Sequence, residues 1–181
     1  MGSYVALLRG IGPLNPNMRN EKLRGVFEDL GFDNVRTVIT TGNVLFDSPS
    51  AAVRGFEAQI EEALPKRLGF SSTTIVRSRK ELQDLVDSDL LRNLARAYEL
   101  DVDLTFLKRK PRVEPLLPYH PDDRDYTVLA LDDRTVCSVV DPPNSKPLDY
   151  MRWIEKRFGK EVTTRTYRTV ERILKKLNVS A

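Results

Sequence analysis

The chain has 181 residues, of which 40% are hydrophobic and 30% charged, with a mean hydropathy of −0.39. Those values exclude a membrane-embedded chain and wholesale disorder, and they leave one ordinary domain or two small ones. A single cysteine precludes an intramolecular disulfide, a single histidine precludes a histidine-built metal cage, and a net charge of +3 is too small to demand a nucleic acid.

The first apolar run, Val5 to Leu8, is ended by Arg9. It is shorter than the roughly 7–15 apolar residues of a secretory signal and far shorter than the roughly 20 of a membrane span. A cytoplasmic location with no membrane partner is expected. Ser3 to Leu8 reads as a fully buried strand. A helix follows, with Asn17 as its N-cap and Leu23, Val26, Phe27 and Leu30 on one face. Gly31 supplies a left-handed stop with Phe32 as its apolar follower. Val35 to Thr40 is a strand, Gly42-Asn43 is a two-residue hairpin signal, and Val44-Leu45-Phe46 returns. Ser48-Pro49 reads as a helix start, and Val53, Phe56, Ile60, Leu64 and Leu68 form a stripe closed by Gly69. Pro65 is expected to kink or split that helix near Glu61. Ser72 to Arg77 completes a strand–helix–strand–strand–helix–strand order by about residue 78.

Ser78-Arg79-Lys80-Glu81 is a capping box opening a short helix with Leu82, Leu85 and Val86 inward. Val102 to Leu107 is a strand, and Lys108 to Asp123 is loop or short helix. Tyr126 to Leu131, an Asp132-Asp133 turn and Thr135 to Val140 form a second hairpin. After a loop at Pro142-Pro143-Asn144-Ser145, a helix runs from Leu148 to Phe158 and stops at Gly159. A strand at Val162 to Thr164 leads to a last helix with Val170, Ile173, Leu174 and Leu177 on one face. The fold class is α+β: two ferredoxin-like (α-β plait) modules with antiparallel sheets, residues 1–78 and 79–181.

Three segments stand out together: Leu7-Leu8-Arg9-Gly10-Ile11, Thr41-Gly42-Asn43-Val44-Leu45-Phe46, and Thr164-Arg165-Thr166-Tyr167-Arg168-Thr169. Their order resembles the bacterial domain-of-unknown-function family 1697, whose members carry an LLRGIN start, a SGNVVF-type hairpin and a TRNWNT-type ending. The resemblance spans nearly the whole chain. It implies two ferredoxin-like modules and no assigned activity. Gly12-Pro13-Leu14-Asn15 departs from the family's Asn-Val-Gly-Gly, and Thr166, Tyr167 and Arg168 depart from its last motif.

Arg9, Gly10, Gly42, Asn43, Thr164, Arg165 and Thr166 are the candidate ligand-binding residues. Amide donors at a helix start, threonine hydroxyls and an arginine fork together suit a small anion bearing phosphate or carboxylate. The plainer explanation is backbone geometry: Thr166 an N-cap, Gly42-Asn43 a turn, Gly10 a strand end. The last helix is basic, with five Lys or Arg against Glu171 from Arg165 onward. Arg168, Arg172 and Lys175 share a face that suits a phosphate backbone, and Lys108 to Arg112 is a second basic cluster. A solvated helix face and a loop that stays in water are the plainer explanations of the two. The stacking aromatics of an RNA-binding plait are missing from Thr41 to Phe46. Split at residue 78, the charges are 9 basic against 8 acidic, then 20 against 18, so neither module is markedly basic.

Catalytic chemistry is thinly supplied. His120 lies in a proline-rich stretch, and Asp122, Asp123 and Asp125 nearby can bind a cation such as Mg²⁺ or simply form a turn. Asp101 and Asp103 share a strand face without a third ligand. Cys137 reads as a buried structural thiol, and Glu61-Glu62 point apart. No phosphate-loop, dinucleotide or zinc spacing occurs, so no cofactor and no metal is expected. The reading is a non-catalytic module for a small anionic ligand. A nucleic-acid-associated protein using the basic helix is the alternative, and an enzyme built around His120 and Asp122–Asp125 the third. Oligomeric state is open.

Overall fold

The computed structural model describes residues 1–12, 14–99, 101–112, 115–121, 126–140 and 147–179. Contacts divide the chain into two units: Met1–Gln83 with Glu171–Ala181, and Asp84–Val170. The first unit holds strands β1 (Gly2–Leu8), β2 (Asp33–Thr37), β3 (Asn43–Ser48) and β4 (Thr74–Ser78). Helix α1 (Asn20–Asp29) joins β1 to β2, and α2 (Val53–Leu68) joins β3 to β4. All pairs are antiparallel in the order β2-β3-β1-β4. This is the α-β plait arrangement that the order of apolar runs predicts.

Alternation along β1 sends Tyr4, Ala6 and Leu8 to the helix-covered face, where they meet Leu23 and Phe27 of α1 and Phe56, Ile60 and Leu64 of α2. Val5 and Leu7 point the other way and are equally inaccessible. A strand buried on both faces has no polar positions to alternate, which is why this one reads as a continuous apolar run. Phe32 anchors the α1–β2 corner, its ring 4.3 Å from that of Phe46. Gly31 at φ 79° turns the chain there, and the Phe32 amide donates to the Phe27 carbonyl at 3.2 Å.

Several boundaries differ from expectation. Asn17 is not the cap of α1: it sits in a 3₁₀ turn, Pro16–Met18, capped by Asn15, and its Oδ1 accepts from Lys22. The residue before α1 is Arg19, which supplies no side-chain cap. The first hairpin is not closed by two residues; residues 38–42 connect its strands, with Ile39 and Gly42 both at positive φ. Ser48-Pro49 does not start α2. The Ser48 hydroxyl accepts from the Ser50 amide and the Ser50 hydroxyl from the Ala52 amide, so local turns hold the chain until Val53. Pro65 does not split α2, because it falls in the last turn and removes only one intrahelical donor; its carbonyl still accepts from Gly69 at 3.1 Å. The capping box is present: Ser78 N–H donates to Glu81 Oε2 at 2.8 Å, and Glu81 N–H donates to Ser78 Oγ at 3.1 Å.

That box opens α3 (Arg79–Asp87), and α4 (Asp89–Ala97) follows after Ser88, a helix beyond those expected from the sequence. The second unit then holds β5 (Asp103–Leu107), β6 (Tyr126–Asp132), β7 (Thr135–Val140), α5 (Pro147–Phe158) and β8 (Val162–Thr166), and α6 (Tyr167–Asn178) ends the chain. Its sheet is antiparallel in the order β6-β7-β5-β8, so β5, β6, β7 and β8 take the places of β1, β2, β3 and β4. The hairpin turn is Asp133-Arg134, one residue later than expected. The departure from the plait lies between β5 and β6, where no helix occurs among the described residues. Leu117 and Tyr119 from that stretch pack on the core of Leu107, Tyr126, Val128, Tyr150 and Ile154 instead, with Tyr119 stacked 5.0 Å from Trp153. Residues 171–179 of α6 group with the first unit, where Arg36 donates to the carbonyls of Lys176 at 3.1 Å and Val179 at 3.0 Å. Among the described residues no helix is long and apolar enough to cross a membrane.

Candidate functional site

Four of the seven sequence-predicted residues meet at one end of the first sheet. Arg9 and Gly10 follow β1, Asn43 pairs with Leu7 across the ladder, and the Leu8 amide donates to the Gly42 carbonyl at 2.8 Å. Local architecture occupies them. Gly42 lies at φ +74°, and a Cβ there would meet Ile11 Cγ1 at 2.5 Å and Leu8 Cβ at 3.0 Å. Asn43 is 1% exposed, and its Nδ2 donates to the Val38 carbonyl at 3.0 Å and to Thr41 Oγ1 at 3.2 Å. The glycine and the asparagine therefore shape the 38–42 turn.

Thr164, Arg165 and Thr166 belong to β8 of the second unit, and the helix start follows at Tyr167. Thr166 is the cap: its Oγ1 accepts from the Thr169 amide at 3.2 Å. Arg165 is buried, with Nη1 donating to Thr163 Oγ1 at 2.8 Å and to the Thr164 carbonyl at 2.7 Å. Burial pulls its guanidinium down to about 10, which leaves it charged at neutral pH. Thr164 faces the opposite side of the sheet, where Thr105 and Thr164 stand opposite each other across β5 and β8.

On that face lies a chain of hydroxyls that no spacing in the sequence announces. Ser138 Oγ donates to the Tyr150 hydroxyl at 2.7 Å, Tyr150 and Thr105 share a bond of 2.9 Å, and Thr105 and Thr164 share one of 2.8 Å. Thr164 Oγ1 then reaches Met151 Sδ at 3.6 Å. Burial pushes the Tyr150 phenol up to about 12, against the smaller opposing effect of its bonds to Ser138 and Thr105. Asp103 borders this row, paired in register with Ser138 on one side and Thr166 on the other. Desolvation, then the charge of Asp101, holds its carboxyl above the usual range. Every hydroxyl between Ser138 and Met151 is satisfied internally, so the row stiffens the sheet.

The second cluster is open. The end of β5, the end of α5 and the turn before β8 enclose a cavity of about 370 Å³. Lys108, Arg109, Lys110, Arg112 and Arg157 line it, with Glu161 as the one carboxylate among the described lining residues. Glu161 lies 3.8 Å from Lys108 Nζ and 3.5 Å from Arg109 Nε. Lys110 stands 3.7 Å from Asp133. Arg157 lies in the last turn of α5, where a cation is favoured by the partial negative charge of the helix C-terminus. This corner repeats one in the first unit. There the Leu8 amide donates to the Gly42 carbonyl at 2.8 Å and the Arg9 amide to Thr73 at 3.0 Å; here the Leu107 amide donates to Arg134 at 2.8 Å and the Lys108 amide to Glu161 at 3.0 Å. Lys108 thus stands in the second unit where Arg9 stands in the first.

The remaining candidates are held by their neighbours or lie elsewhere. His120 Nδ1 is 2.9 Å from Thr127 Oγ1 and 3.2 Å from the Tyr126 carbonyl. Cys137 is buried, and desolvation followed by the charge of Asp132 pushes its thiol up to about 12, far from a reactive thiolate. Asp122, Asp123 and Asp125, and the loop at residues 142–145, lie outside the described residues. Among the described residues no group of three or more His, Cys, Asp or Glu is placed to hold a metal. On α6, Arg168 donates to the Glu99 carbonyl at 3.3 Å and stands 3.8 Å from Asp101, so one of the three aligned cations is engaged.

The family model for a protein of unknown function, DUF1697, matches residues 1–136. The chain belongs to the DUF1697 family. The match includes Arg9-Gly10, Gly42-Asn43 and the Lys108–Arg112 run of this DUF1697 chain, while Thr164–Thr169 lies beyond it. A conserved bacterial protein from Streptococcus pneumoniae has a similar solved structure, with a TM-score of 0.72 over 98% of this chain and 99% of that one. At 18% identity that likeness is one of fold. Comparison of the DUF1697 chain with curated proteins finds no match.

Proposed function

We propose that the chain is a binding module for a small anionic ligand carrying phosphate or carboxylate groups, and that the ligand seats in the cavity lined by Lys108, Arg109, Lys110, Arg112 and Arg157. One observation carries the reading: five cationic side chains and one carboxylate line a single concavity among the described residues. A concentration of positive charge in a recess raises the local potential and attracts anions to it. At about 370 Å³ the recess lies at the small end of ligand pockets, which suits a compact molecule better than a polymer. Arginine forks supply the paired donors that phosphate and carboxylate oxygens accept.

The test is a thermal-shift and calorimetric panel of inorganic phosphate, pyrophosphate, nucleoside monophosphates and dicarboxylates. At least one should bind, with affinity falling as salt rises. Arg157→Ala and Arg109→Ala should each weaken it roughly 10–100-fold, the span of one charge-assisted bond. Arg172→Ala, on exposed α6, serves as the control. If no compound shifts the melting temperature, or the two cavity variants bind like the parent, the reading fails.

A further inference from the structure

Glu161 is the anomaly of the cavity. It is the one negative side chain among the described lining residues, it is half exposed, and it sits between two cations without closing on either. Its oxygens are 3.5 Å from Arg109 Nε and 3.8 Å from Lys108 Nζ, whereas a charge-assisted hydrogen bond contracts to about 2.7–2.9 Å. The Glu161 backbone is fixed by its carbonyl, which accepts from the Lys108 amide at 3.0 Å. The side chain is therefore tethered at the cavity and only loosely engaged there.

We propose that Glu161 is a built-in counter-anion, and that it restricts the cavity to ligands bearing two or more negative charges, of the pyrophosphate and phosphomonoester class. The inference rests on the anion-binding reading above and specifies what that site accepts. A monocarboxylate entering between Lys108 and Arg109 exchanges one carboxylate for another and gains no charge interaction. A dianion or trianion brings more charge than it displaces and reaches Arg112 and Arg157 as well. The Arg109–Glu161 pair is exposed on both sides and the Lys108–Glu161 pair only at its Glu161 end. At about a two- to fivefold effect for each such long pair, displacing Glu161 from both cations is a hurdle of roughly 5–20-fold that a multiply charged ligand overcomes. The side chain acts as a charge filter.

The experiment titrates pyrophosphate, inorganic phosphate and acetate against the full chain, Glu161→Gln and Glu161→Ala by calorimetry at low salt, with circular dichroism verifying the fold of each variant. The parent should bind pyrophosphate and ignore acetate. Glu161→Gln should tighten pyrophosphate about 5–20-fold and admit acetate at millimolar concentration, and Glu161→Ala should do the same. Pyrophosphate binding by the parent that is unchanged or weakened in both variants overturns the filter and leaves the anion site standing. Acetate competing equally well in the parent also overturns it. Absence of pyrophosphate binding in parent and variants alike removes the filter, and the panel above then decides the site itself.

Discussion

Replacing Tyr150 with phenylalanine tests whether the hydroxyl row of the second sheet is structural. The substitution keeps the ring against Tyr126, whose centroid is 5.3 Å away, and deletes only the oxygen. That oxygen holds Ser138 at 2.7 Å and Thr105 at 2.9 Å, and both partners are 0% exposed, so water does not replace it. Thr105 keeps its bond to Thr164, while Ser138 loses the acceptor that its hydroxyl uses. Two buried bonds at about 1 kcal/mol each, one of them leaving an orphaned donor, give an expected loss of about 2–3 kcal/mol. Urea unfolding followed by circular dichroism should show a lowered midpoint with unchanged slope. Adding Ser138→Ala removes the orphan, so the double variant should lose less than the sum of the singles by at least about 0.5 kcal/mol. A Tyr150→Phe protein within about 0.3 kcal/mol of the parent, or strict additivity in the double, would refute the reasoning.

Three further outcomes follow from the same structure. Gly42→Ala should cost at least about 1 kcal/mol more than Gly10→Ala: both glycines have positive φ, near 70°, but only at Gly42 does a Cβ meet packed atoms; equal midpoints in urea would contradict that. The native fold keeps the protons of Cys137 and Tyr150 up to about 12, while the unfolded chain sheds them near 9 and 10. The unfolded state then binds fewer protons, so stability should fall as pH rises from 9 to 12, by about 1.4 kcal/mol per pH unit for each group. Tyr150→Phe should flatten the part above pH 10, and urea midpoints between pH 8 and 11 check both statements. Asp103 has its pKa raised by burial, so its ionisation opposes folding and stability declines as pH passes from the ordinary carboxyl value to the raised one. Asp103→Asn should accordingly be more stable than the parent at pH 7 and indistinguishable from it near pH 3; the reverse order at pH 7 would show a stabilising carboxylate.

The plait of the first unit was legible because each element carries a local signal: an apolar run, a 3.6-residue stripe, a glycine stop, a capping box. Ser78 and Glu81 name both partners of their hydrogen bonds within four residues of sequence, and the structure keeps both. Signals that depend on competition between local hydrogen bonds are not legible in the same way. Ser48-Pro49 fits a helix start, but the Ser48 and Ser50 hydroxyls capture backbone amides first and delay it. Helix α4 is hard to read from the sequence although Ser88 caps it, accepting from the Leu91 amide at 3.2 Å, because one residue between two helices resembles a polar stretch rather than a boundary. The site was legible in fragments. Lys108 to Arg112 is visible as a basic run, yet Arg157 and Glu161 reach the same recess from another connection. Hydroxyls of Thr105, Ser138, Tyr150 and Thr164 come from four elements and have no spacing rule to betray them.

The link between β5 and β6, which holds no helix among its described residues, gives the two halves unequal freedom to vary. In the first unit the stretch after β1 feeds α1, whose Leu23, Val26 and Phe27 are buried in the core, so a residue added or lost there rotates an entire apolar face out of register. In the second unit the matching stretch begins with Lys108 and its neighbours, and its described residues form no helix, so closing a slightly longer loop there costs only about a few tenths of a kcal/mol. An insertion or deletion there can therefore change the number and reach of cations at that corner while β5 keeps its pairing with β7 and β8. The same strand order, present twice in a single chain, thus tolerates a change of length at one corner more readily than at the other.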